Sequence, residues 1–165
     1  RRSSDLKTIT LILDNRITGM TGHQDHPGTG YTAQGEESQE ADIEKIVKAL
    51  GVNHVRKINP LQLNELHEAI DTALETPEPS VIIARWPCAL KKLSAKDKEE
   101  FGEYVKRYIV KKEQCIGCKK CIRTGCPALR FDKASKKTLI DPIMCNGCSL
   151  CAQVCPVDAI VLDQK

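Results

Sequence analysis

Eight of the nine cysteines in this 165-residue chain fall in two short runs near its C-terminus, and no other feature restricts the fold as much. Cys115, Cys118 and Cys121 are followed by Cys126 and Pro127; Cys145, Cys148 and Cys151 are followed by Cys155 and Pro156. The second run reads C-x2-C-x2-C-x3-C-P, and the first carries one more residue before its last cysteine. Three thiolates spaced in this way can wrap three corners of an iron–sulfur cube, leaving the fourth corner to a cysteine elsewhere in the chain. A stretch this short buries little apolar surface, so the group bound by the thiols must supply much of its folding energy.

The two runs resemble those of bacterial two-cluster ferredoxins, in which each Cys-Pro serves the neighbouring run's cluster. The resemblance implies two [4Fe–4S] clusters. One takes Cys115, Cys118, Cys121 and Cys155; the other takes Cys145, Cys148, Cys151 and Cys126. Zinc is a rival, but a zinc ribbon uses two cysteines from each run and leaves both Cys-Pro ends without a role. A disulfide framework suits a small secreted chain, and loops closed by two residues favour a metal over such a framework. Cys88 stands apart and reads as a small buried hydrophobe.

Charge is uneven along the chain. Residues 1–87 carry 9 basic and 13 acidic side chains, whereas residues 88–165 carry 16 and 9. The basic half could suggest nucleic acid. Two cubes, each with four thiolates and about −2 in charge, bring that half down to about +3, so no nucleic-acid partner is expected. Lys119, Lys120, Arg123, Lys136 and Lys137 are left to tune the clusters, to meet an acidic electron carrier, or to form a solvated surface. Apolar stretches such as residues 9–13 are far too short to span a membrane, and no membrane partner is expected. No signal peptide is visible, and a cytoplasmic location is expected.

The N-terminal part alternates apolar runs with amphipathic stretches. Residues 8–13, 52–58 and 80–84 read as strands, the first and third of them buried. Residues 42–50 read as a helix with Ile43, Ile46, Val47 and Leu50 inward and Gly51 as its stop. Residues 61–74 read as a second helix, with Leu63, Leu66, Ile70 and Leu74 facing in. The alternation predicts parallel strands joined by crossover helices. A helix over 95–108 is expected to connect this region to the cysteine runs, and 129–132 with 137–140 to form a hairpin between them. The expected fold is α/β: a partial thiamine diphosphate-binding parallel sheet at 1–92, a connecting helix or linker at 93–110, and a small α+β two-[4Fe–4S] ferredoxin-like domain at 111–165. The cofactor in that description comes from the loop that separates the first strand from the first helix.

Residues 15–40 form that loop, long enough to suggest a functional role. Its sequence from Asp14 through Asn15, Arg16, Ile17, Thr18, Gly19, Met20, Thr21, Gly22, His23, Gln24, Asp25 and His26 to Gly30 resembles the thiamine diphosphate-binding loop of 2-oxoacid:ferredoxin oxidoreductases. The nearest resemblance is to the indolepyruvate ferredoxin oxidoreductase alpha-subunit family, which also ends in a two-cluster module. The resemblance implies that Asn15 and the Ile17 carbonyl bind Mg2+, and that Thr18, Gly19, Met20, Thr21 and Gly22 line thiamine diphosphate. It implies His23, Gln24 and His26 as the catalytic groups. Electrons would pass through the clusters to ferredoxin as an aryl 2-oxoacid and coenzyme A are converted to acyl-CoA and CO2.

The upstream Gly-Asp-Gly/Ser element that completes such a site is missing from this sequence. The chain is therefore expected to be a C-terminal piece of a larger subunit, inactive alone. Its partners would be the remainder of the alpha subunit and a beta subunit. Two alternatives stay open: a stand-alone two-cluster electron-transfer protein, and a pyruvate or 2-oxoglutarate ferredoxin oxidoreductase.

Overall fold

A computed structural model describes residues 7–102 and 107–163. The chain divides into two compact units, residues 1–102 and 103–165.

The first unit is built on a three-stranded parallel sheet. Strands β1 (Ile9–Asp14), β2 (His54–Ile58) and β3 (Ser80–Arg85) lie in the order β1-β3-β2. Ile9 pairs with Ser80 and Asp14 with Arg85, while His54 pairs with Ser80 on the other side, so all three strands end at one edge. The central strand is the most apolar, Ser-Val-Ile-Ile-Ala-Arg, and it is buried from Ser80 to Ala84. That fits a parallel strand covered on both faces.

Helix α1 (Ile43–Ala49) starts where the Asp42 side chain accepts the Lys45 N–H at 3.1 Å. It covers one face through Val47, against Val81, Ile83 and Ile12. Helix α2 (Leu63–Glu75) covers the other, with Ala69 and Ala73 packed on Ile58, Ile82 and Ala84. The small alanines let α2 lie close to the sheet, and Leu66 and Ile70 flank them.

Several inward assignments are corrected. Leu74 is exposed on α2, and Ile46 and Leu50 are exposed on α1. A sheet of three strands is too narrow to cover the whole apolar stripe of either helix. β1 is likewise an edge strand rather than a buried one: Leu11 and Leu13 share a sheet face with Ile82 and Ala84 but are 48% and 74% exposed.

Helix α3 is shorter than expected, running over Ala95–Phe101 and ending at Gly102 with φ of 75°. Tyr108, expected to lie in that helix, instead opens strand β4 (Tyr108–Val110) in the second unit. Its Tyr-Ile-Val sequence suits a strand better than a helix end. β4 pairs antiparallel with β7 (Ile160–Leu162), joining the two ends of this unit. Between them β5 (Leu129–Asp132) and β6 (Lys137–Ile140) form the expected hairpin, and Leu150–Gln153 forms the one-turn helix α4. A small buried cluster of Cys121, Leu129 and Ile160 forms the core here, surrounded by partly buried groups that include Cys126, Cys151 and Cys155.

Candidate cofactor loop and iron–sulfur ligands

β1 delivers the candidate loop to the carboxyl edge of the sheet, where ligands bind in open α/β folds. Asp14 closes the strand and is itself engaged. Its Oδ1 accepts the Arg16 N–H at 3.0 Å, and its Oδ2 lies 3.2 Å from Arg85 Nε. Asn15 is exposed, and its Oδ1 accepts the Ile17 N–H at 3.2 Å, drawing the two expected magnesium ligands into one turn. A carboxamide oxygen has a second lone pair, so Asn15 retains acceptor capacity for a hard cation. Backbone bonds Trp86 N–H to Asp14 and Cys88 N–H to Asn15, at 3.0 and 2.9 Å, hold this corner against the segment after β3.

Beyond Ile17 the chain makes a small hairpin. Thr18 and Gln24 exchange backbone hydrogen bonds of 3.0 and 3.2 Å. Their side chains are exposed, as are those of Thr21 and His23, and Met20 is fully exposed at the tip. The Thr21 hydroxyl donates to Gln24 Oε1 at 2.8 Å. Gly22 has φ of 113°, and a Cβ added there would meet no atom within 4 Å; Gly19 is half-buried beside Ile17. His26 sits apart from this tip. Its Nδ1 accepts the Gly28 N–H at 3.1 Å and caps the 3-10 turn Pro27–Thr29. That bond leaves Nε2 as the nitrogen of His26 able to act elsewhere.

What sequence reasoning missed is Arg16. Though it stands between two loop residues, it is completely buried. Its guanidinium meets Asp97 at 3.2 Å, Glu40 at 3.0 Å, the Thr29 carbonyl at 3.2 Å and the Gly28 carbonyl. Asp97 also takes the Lys91 ammonium and forms a capping box with Ser94, while Arg85 reaches Glu40. The Ser94-x-x-Asp97 spacing is a capping-box signal that could have singled out Asp97. Nothing in the sequence pairs it with Arg16, 81 residues earlier.

The electrostatics follow from these partners. Burial opposes the Arg16 charge, but Glu40 and Asp97 outweigh it and raise its pKa. Burial likewise works against the Asp97 carboxylate; Lys91 and Ser94 overcome it and hold the pKa below the usual range. Glu40 is also lowered, by Arg85 and Arg16 against burial. Breaking such a buried pair leaves an uncompensated charge. The network therefore ties the 16–30 loop to the start of α3.

In the second unit the eight thiols fall into two sets. Cys115, Cys118, Cys121 and Cys155 line one small cavity, together with Ile116, Val157 and Ile160. Cys126, Cys145 and Cys148 all act electrostatically on Cys151. Among the described residues, no three His, Cys, Asp or Glu side chains converge closely enough to hold a single metal ion.

The two sets differ in surroundings. Burial works against a Cys115 thiolate, but Thr138, the Gly117 backbone and Lys137 outweigh it and lower the pKa. Burial and the neighbouring thiolates push Cys151 up to about 12, and Cys148 is also raised. Loading the second set must therefore displace protons from its thiols.

Comparison with known proteins agrees with both halves. Residues 2–84 match the family model for the C-terminal TPP binding domain of thiamine pyrophosphate enzymes, and residues 108–162 match the 4Fe-4S dicluster domain. The chain belongs to the thiamine pyrophosphate enzyme family and joins that domain to a dicluster domain.

Within that class it is similar to the indolepyruvate oxidoreductase subunit IorA. Identity is 41% over 92% of the chain and 23% of the relative in Pyrococcus abyssi, and 37% over 95% and 24% in Methanothermobacter thermautotrophicus. The chain spans about a quarter of the length of these relatives. Its cysteine-rich part is also similar to pyruvate synthase subunit PorD of Methanothermobacter marburgensis, at 41% identity over 54 residues, which cover 33% of this chain and 62% of that protein. Among the described residues, no helix is long and apolar enough to cross a membrane.

Proposed function

We propose that this chain is part of a cytoplasmic 2-oxoacid:ferredoxin oxidoreductase acting on an aryl 2-oxoacid of the indolepyruvate type. The observation that carries the reading is the joining, in one chain, of the Asn15–Gln24 loop at a sheet's carboxyl edge to two sets of four thiols. The overall reaction takes a 2-oxoacid anion and coenzyme A to acyl-CoA, CO2, one proton and two electrons. Bound thiamine diphosphate supplies the carbanion chemistry of decarboxylation, and the iron–sulfur clusters supply one-electron steps.

The chain's own residues bind and orient. Asn15 Oδ1 and the Ile17 carbonyl offer oxygens to Mg2+, the ion that anchors a diphosphate. Asp14 does not serve there, because Arg16 and Arg85 already engage it. Thr18, Gly19 and Gly22 let the backbone approach the cofactor closely, and Met20 and Thr21 present its neighbouring surface. His23 and Gln24 face the substrate from the exposed tip, with Thr21 holding the Gln24 amide. His26 keeps Nε2 for proton handling while Nδ1 caps its turn. Cys115, Cys118, Cys121 and Cys155 hold one [4Fe–4S] cluster; Cys145, Cys148, Cys151 and Cys126 hold the other. The remainder of the alpha subunit and a beta subunit complete the site, and ferredoxin takes the electrons.

Asn15→Ala in the assembled oxidoreductase tests this reading. Both clusters should form and should still be reduced by dithionite. Reduction driven by indolepyruvate should fall at least tenfold, with partial recovery in excess Mg2+ and thiamine diphosphate. Undiminished indolepyruvate-driven reduction would remove this loop from the cofactor site. This chain by itself should show no thiamine diphosphate binding at micromolar cofactor, a concentration corresponding to about −8 kcal/mol.

A further inference from the structure

We propose that electrons leave this chain through the cluster held by Cys115, Cys118, Cys121 and Cys155, across a lysine-rich face that docks an acidic one-electron carrier protein. This rests on the electron-transfer role proposed above and adds a direction and a docking surface to it.

Charge is the first observation. Residues 111–137 hold 9 basic and 2 acidic side chains, whereas residues 138–163 hold no basic and 3 acidic ones. The fold gathers the basic residues beside the first cysteine run. The Lys136 carbonyl lies so close to Gly117 that a Cβ there would stand 2.3 Å from its oxygen. Lys137 donates to the Cys115 carbonyl, and Lys119 Nζ lies 4.2 Å from the Phe131 ring centre. Of the two acids, Asp132 is turned into the 132–135 turn, where it accepts from Ala134 and Ser135; Glu113 is exposed. Asp158 is exposed near Cys155 and is the acid contributed by the other run.

Exposure is the second. Among the described residues Cys118 is the one exposed thiol, and Ile116 beside it is 63% exposed. The four thiols of the other set are all partly buried, and the loop before them shows solvent the uncharged Ile143 and Met144. Electron transfer weakens steeply with distance, so the exposed sulfur of Cys118, followed in the chain by Lys119 and Lys120, is the better exit.

The third observation sets the direction. The Thr138 hydroxyl, fully buried, lies 3.4 Å from Cys121 Sγ, and the Ala159 N–H donates to Cys155 Sγ at 3.3 Å. An iron-bound sulfur carries no proton, so the hydroxyl must be the donor. Hydrogen bonds to ligand sulfurs and nearby positive charge both favour the more negative, reduced cluster. Sulfurs of the second set also accept backbone hydrogen bonds, Cys148 from Leu150 and Cys151 from Ala152. It is therefore the positive charge beside the first set that makes its cluster the higher in potential of the two, and electrons run downhill to it. In the last step one electron passes to the oxidised carrier, with no bond made or broken.

The test uses the full chain with both clusters loaded and chemically reduced with dithionite, so its outcome does not depend on any oxoacid chemistry. Electron transfer to a purified acidic ferredoxin is followed by stopped flow at low ionic strength. Lys119→Glu with Lys120→Glu should slow the second-order rate about tenfold or more and flatten its salt dependence. Lys112→Glu with Lys133→Glu, which leaves the cysteine run untouched, should act in the same direction. Lys45→Glu in the first unit should not, and a small neutral oxidant should react with all variants alike. Equal slowing by Lys45→Glu, or no slowing by either lysine pair, overturns the docking face. In an EPR-monitored redox titration Thr138→Val should lower the higher of the two midpoint potentials and leave the lower one in place, and Thr138→Ser should restore it. A shift in the lower potential, or in neither, overturns the exit order.

Discussion

The two units solve the same problem with different materials. The first buries a strand, Ser80 to Ala84, between two helices and then ties its long loop down with buried ion pairs. The second gathers a much smaller buried cluster, Cys121, Leu129 and Ile160, and sets thiols beside and around it. The apolar effect, at about 25 cal/mol per Å² buried, can account for the sheet of the first unit. In the second, metal binding must supply what the core does not.

Removing the iron is the severest way to break this contrast. After chelation in air, amides of β4 through β7 should lose hydrogen-exchange protection while β1, β2 and β3 keep theirs. Equal loss in both units would mean that the first also depends on the clusters.

Asp97→Ala should come next. It removes a carboxylate that two buried cations, Arg16 and Lys91, share, and should cost the first unit about 3–5 kcal/mol, read from urea unfolding. Cluster absorbance from the second unit should be unchanged at low urea. Ile83→Ala, at a side chain 1% exposed in the central strand, should cost about 2–5 kcal/mol by cavity formation.

Acid sharpens the comparison further. Asp97 and Glu40 have pKa values lowered by folding, so their contribution is present above their unfolded values, about 3.9 and 4.3, and is lost as pH falls through the lower folded ones. The midpoint of the first unit should fall in that range, and Asp97→Asn should flatten the slope. Least affected should be Met20→Ala: the side chain is fully exposed, and stability should stay within about 0.5 kcal/mol.

Local patterns made much of this legible. The hairpin at 129–132 and 137–140 and the three parallel strands follow from alternation and β-branching. What was not legible depends on residues far apart in the chain. Whether Leu11 and Leu13 are covered depends on how many strands flank β1, and no periodicity records that number. Tyr108 to Val110 is too short to read as a strand until Ile160 to Leu162 is found opposite it. Arg16 in a polar loop looks like a surface residue, and only its partners Glu40 and Asp97 make its burial tolerable.

The thiols around the cavity of the second unit also bear on how the protein is made. Cys115, Cys118 and Cys121 leave the ribosome first, and Cys155 follows 34 residues later. At about 5–20 residues per second, three thiols wait roughly 2–7 s for the fourth. A chain stopped just short of Cys155 would carry all four thiols of the other set and only three of this one. Of the eight clustered cysteines, the first to be synthesised are thus the last to complete their site, and they stay open to oxygen and stray metals until Cys155 arrives.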